Sequence, residues 1–75
     1  MTFFIWMKRN HRHKDSAIGH LADEMCRHSA RFIRTTGYNR NYFYASRLCT
    51  AAYTLPAFDE AWRQYEVYKK EQRNA

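Results

Sequence analysis

Glycine and proline are scarce in this chain: two of the first and one of the second in 75 residues. A fold built of many short strands needs such residues at its turns, so their scarcity argues against one. An all-α class follows. Cysteine is equally scarce. Cys26 and Cys49 form no CxxC or other ligand-spaced pair. A domain of this size in an oxidising compartment usually carries more of them, so both are read as small buried thiols of a cytoplasmic protein. Long apolar runs are missing as well. Phe3-Phe4-Ile5-Trp6-Met7 is only five residues. It is too short to span a bilayer, and no basic region precedes it as in a signal peptide. No membrane partner is expected.

Acid is the remaining shortage, and it is uneven. Residues 1–14 carry Lys8, Arg9, Arg12 and Lys14 with no Asp or Glu. Residues 25–58 carry Arg27, Arg31, Arg34, Arg40 and Arg47, again with none. The last stretch is balanced, with Asp59, Glu60, Glu66 and Glu71 against Arg63, Lys69, Lys70 and Arg73. The net charge of +6 is therefore concentrated in the first two-thirds of the chain. Such a field favours polyanions: DNA or RNA, anionic lipid or an acidic protein.

Aromatic residues are plentiful: five Phe, six Tyr and two Trp. At this length one domain, residues 1–75, is expected, burying about 60–65% of its unfolded surface. Large rings bury much area per residue ordered and offset that limit. The best-organised stretch is Phe58-Asp59-Glu60-Ala61-Trp62-Arg63-Gln64-Tyr65. Phe58, Ala61, Trp62 and Tyr65 share one stripe of a helix. Asp59 and Glu60 would lie in its first turn, complementing the dipole, with Pro56 just upstream. The helix is expected over 57–72, with the tail from about 70 frayed. Trp62→Ala is expected to cost about 3–5 kcal/mol.

Three further helices are read along the chain. The first covers 2–12, with Thr2 as N-cap and Phe3, Trp6 and Met7 inward. His11-Arg12-His13-Lys14 connects it to a second helix that starts at Asp15-Ser16 and ends near Ser29. Its inward set is Ile18, Leu21, Ala22, Met25 and Ser29, with Asp23, Glu24 and Arg27 outside. Gly19 lies inside that helix, at a cost of about 1 kcal/mol against Ala. Residues 30–38 are irregular, with Gly37 at a left-handed position. Asn39 caps a third helix over 40–53. Two inward stripes compete there: Tyr44, Leu48, Ala51 and Ala52, or Tyr42, Ala45, Cys49 and Tyr53.

Catalytic signatures are missing. No Ser or Cys has the elbow context of a nucleophile, and there is no Gly-rich phosphate loop. Asp59 and Glu60 diverge around their helix. His11, His13, His20 and His28 lack the paired spacing of a zinc site, so no metal or cofactor is assigned. The informative surface feature is basic residues interleaved with rings: Arg31, Arg34, Arg40 and Arg47 flank Phe32, Tyr38, Tyr42 and Tyr44. The arginines are read as anion-facing and the rings mostly as core. Lys8, Arg9, Arg12 and Lys14 form a second basic patch. A non-enzymatic module binding nucleic acid through these eight residues is expected, with a protein-interaction module (homo-oligomer, adaptor or inhibitor) as the alternative.

Several of these pieces together resemble one family. Thr2-Phe3-Phe4-Ile5-Trp6-Met7, Asp15-Ser16-Ala17-Ile18 with Leu21-Ala22, Ser29 with Phe32, Tyr38 and Tyr44, and Phe58-Asp59-Glu60-Ala61-Trp62 with Tyr65 resemble the YozE family of small bacterial proteins. Ile33 departs from the proline usual there, the third helix lacks acids, and this chain is more basic. The resemblance implies a compact four-helix fold similar to sterile alpha motif (SAM) domains. It also implies a cytoplasmic binding domain with no catalytic residues.

Overall fold

The computed structural model describes residues 1–49 and 54–74. Among these the protein is all-α, with four helices of two turns or more and one single-turn helix. They are α1 (Phe3–His11), α2 (Ala17–Arg27), α3 (Ser29–Phe32), α4 (Tyr38–Leu48) and α5 (Thr54–Asn74).

Each start has a local cause. Thr2 caps α1, its hydroxyl accepting from the Ile5 N–H at 3.4 Å. Ser16 caps α2 in the same way, accepting from the Gly19 N–H at 3.0 Å. Asp15 is thereby released from capping and faces His20 at 3.6 Å. The third long helix starts two residues earlier than the Asn39 cap implied. Gly37, at φ +84°, is its N-cap. The Asn41 side chain, fully buried, donates to the Gly37 carbonyl at 2.8 Å and fixes that turn from within.

The last helix also starts earlier than expected, at Thr54. Pro56 sits inside its first turn, where the missing N–H had no intrahelical partner to lose. Asp59 and Glu60 consequently fall beyond the first turn. They bond side chains instead: Asp59 accepts from the Tyr38 hydroxyl at 2.6 Å, and Glu60 from Arg63 Nε at 3.0 Å. The helix continues to Asn74.

Helices α2 and α5 pack on each other, and α1 and α4 each pack on both. Phe3 is the hub of the rings between α1 and α5. Its centroid lies 4.8 Å from Trp62, 5.3 Å from Phe58 and 5.4 Å from Tyr65. Tyr65 then donates to the Met1 carbonyl at 2.8 Å, tying the start of the chain to its last helix. Phe4, which stood outside the expected inward set of α1, is buried against Phe32 of α3. In α2 Leu21, Ala22 and Met25 are buried and Ile18 half-buried, while Ser29 is exposed and begins α3. In α4 the buried line is Asn41, Ala45 and Cys49, close to the second of the two competing stripes. Ala51, Ala52 and Tyr53, invoked in those stripes, lie outside the described residues.

Gly19 is where α2 meets the preceding loop. A Cβ there would lie 2.1 Å from the Lys14 carbonyl oxygen, so only glycine permits this approach. The conformational cost of a helical glycine is offset by a tight entry into α2.

Candidate nucleic-acid interface

All eight basic residues singled out from the sequence are exposed. Among the described residues none is ion-paired with an acid. They do not make one continuous face. They are spread over α1, the loop that follows it, the α3 region and α4.

Two groups are brought together. Lys8, Arg9 and Arg12 line a shallow groove along α1 with Ile5 and His13. They project from the exposed side of α1 because Phe3, Phe4, Trp6 and Met7 take the inward side. The adjoining groove is lined by Arg12, His13, Asp23, Cys26 and Arg27. Arg27 thus joins the patch from the last turn of α2, a placement its position in sequence did not reveal. Among the described residues Asp23 is the one acid lining that groove. Its Oδ1 accepts from the backbone N–H of His13 at 3.0 Å, holding a residue whose φ is +69°. Lys14 stands in the same loop. With burial as the larger cause, its charge helps hold the His11 imidazole below its ordinary pKa.

The second group lies on α4. Arg40, Phe43 and Arg47 are at i, i+3 and i+7 and all three are exposed. Phe43 retains 51% of its surface. The Arg47 guanidinium carbon sits 5.0 Å from the centre of its ring. The rings expected to alternate with arginine are elsewhere: Phe32 is fully buried, and Tyr42 and Tyr44 are half-buried. Tyr38 is at the surface, but its hydroxyl is held by Asp59, which raises its pKa to about 12. Phe43 is the ring that sequence reasoning overlooked. The two rival stripes of α4 both left position 43 on the outer side, which was the available signal. Arg31 and Arg34 are exposed on α3 and just beyond it.

Other chemistry is limited. Among the described residues no group of three or more His, Cys, Asp or Glu is arranged to hold a metal ion. No helix there is long and apolar enough to cross a membrane. Cys26 and Cys49 are both free thiols. Burial, with the neighbouring Glu24, pushes Cys49 up to about 12. It is therefore a protonated packing group at neutral pH, unsuited to nucleophilic attack. Comparison of the chain with protein-family models, with curated proteins and with solved structures returns no match.

Proposed function

We propose that this chain is a small non-enzymatic module that binds nucleic acid by neutralising phosphates. The observation that carries this reading is the groove along α1. Lys8, Arg9 and Arg12 line it, Arg27 adds to it from α2, and the adjoining acid is committed to a backbone N–H. Desolvating these cations against a phosphate chain costs little internal pairing, since among the described residues they have no acid partner to give up. Arg31, Arg34, Arg40 and Arg47 extend the field over α3 and α4. Membership of the YozE family, with its SAM-like arrangement, belongs to the same proposal and rests on the FDEAW stretch and the patterning around it. A cytoplasmic setting suits the two free thiols.

The test is binding of a labelled oligonucleotide across a salt series. Affinity should fall linearly on a log–log plot, with a slope of about −0.7 to −0.9 per phosphate contacted. Arg9→Glu with Arg12→Glu should weaken binding at least tenfold at low salt. Undiminished binding by that variant would remove the groove from the account. The second reading is a protein-interaction module, supported by exposed Ile33 and Val67, each 48% accessible. It requires a partner of fixed stoichiometry by gel filtration, and nucleic-acid affinity no better than that of an unrelated basic protein.

A further inference from the structure

We propose that the Arg40–Phe43–Arg47 stripe of α4 is a base-stacking platform that gives this protein a preference for single-stranded over double-stranded nucleic acid. The proposal rests on the nucleic-acid reading above and narrows its substrate class.

An exposed phenylalanine alone means little, since much of any protein surface is apolar. Three observations distinguish this one. First, the ring is buttressed from the core outwards. Fully buried Phe32 meets Tyr44 edge-on at 6.3 Å, and Tyr44 meets Phe43 edge-on at 5.5 Å. Second, Arg47 lies over the ring at 5.0 Å. A guanidinium on one face holds the ring in place, and the 51% of the residue's surface that stays exposed is left to a further planar group. Third, the stripe is cationic at both ends. Arg40 and Arg47 stand about 10 Å apart along the helix axis, bracketing the ring, with no ion pair to an acid among the described residues. A phosphate chain could be met on both sides of a stacked base.

This charge pattern selects the occupant. A second copy meeting this one through the same face would bring the same cations against themselves, and an apolar protein face would leave both arginines unpaired. A paired duplex hides its base faces inside the stack, so it could use the arginines but not the ring. A single strand offers both phosphates and open base faces. DNA and RNA share that chemistry, and the platform has no feature that reads the sugar.

The test uses the full chain with labelled oligothymidine and a duplex of equal length, followed by fluorescence anisotropy at fixed low salt. Phe43 is exposed, so its variants should melt within a few degrees of wild type, which is checked first. Phe43→Ala should weaken single-strand binding about fivefold or more and leave duplex binding nearly unchanged. Phe43→Trp should keep single-strand affinity, whereas Phe43→Leu, apolar but without a π face, should lose it as alanine does. Arg40→Glu with Arg47→Glu should weaken both substrates. If Phe43→Ala matches wild type on the single strand while the arginine variant is weak, the platform is wrong and the phosphate-binding reading stands. Equal losses on both substrates for Phe43→Ala, or full rescue by leucine, would also overturn stacking. If wild type binds neither probe, both readings fall together.

Discussion

Buried rings and close approaches decide stability at the level of single residues. Phe58 is fully buried and touches Phe3, Tyr38 and Tyr42 within 5.5 Å. Phe58→Ala should cost about 3–5 kcal/mol, measured by denaturant or thermal unfolding. Trp62 is the more conspicuous residue in the sequence, but it is only half-buried, and its indole N–H donates to Glu66 at 2.8 Å near the surface. Its replacement by alanine should cost less, about 2–3 kcal/mol, because less area leaves water. Gly19→Ala tests the contact at the start of α2. Helix propensity alone favours alanine by about 1 kcal/mol. The Lys14 carbonyl blocks the added methyl, so a net loss of melting temperature is expected, and a gain would mean that the loop yields freely. Cys49 gives a pH dependence. Its thiol is raised from about 9 to about 12 in the fold, so the folded state holds its proton longer than the unfolded chain. That contribution is intact below about pH 9 and is lost as pH rises through 12. Melting temperature should therefore fall more steeply over this window in wild type than in Cys49→Ala, and parallel profiles would contradict the assignment.

Helix boundaries show what could be read from the sequence and what could not. Signals that act through one side chain on adjacent backbone were legible. Thr2 and Ser16 cap as their chemistry demands, and Gly37 takes the left-handed turn. Ser16→Ala should accordingly cost about 1 kcal/mol in chemical denaturation, with the loss confined to the cap. Boundaries that depend on tertiary partners were not legible. Asn39 has the right chemistry for a cap, yet buried Asn41 holds Gly37 from the core side and draws α4 two residues earlier. Pro56 suggested a boundary upstream of Phe58, but a first turn accepts proline, so α5 simply includes it. The inward face of α4 was ambiguous because Tyr42 and Tyr44 are both half-buried on either side of the true line through Asn41, Ala45 and Cys49. Either stripe left Phe43 on the outer face, so its exposure was legible even though the inner line was not.

The molecule as a whole is a small all-α globule, with a radius of gyration of 11.5 Å, close to the roughly 11 Å typical of a folded chain of this length. Its excess positive charge could be counted in the sequence, and the acid-free segments were evident. Which cations share a surface was not evident, because that depends on how α1 and α2 meet. Packing brings Arg27 beside Arg12, and the two sets of cations stand on α1–α2 and on α4. The central claim is that these exposed cations take up a phosphate chain. Its most direct test is equilibrium binding of labelled oligothymidine at increasing salt, for wild type and for Arg9→Glu with Arg12→Glu. The account predicts a steep log–log decline for wild type, and a variant that binds at least tenfold more weakly with a shallower slope. Salt-independent binding, or a variant indistinguishable from wild type at low salt, would contradict it.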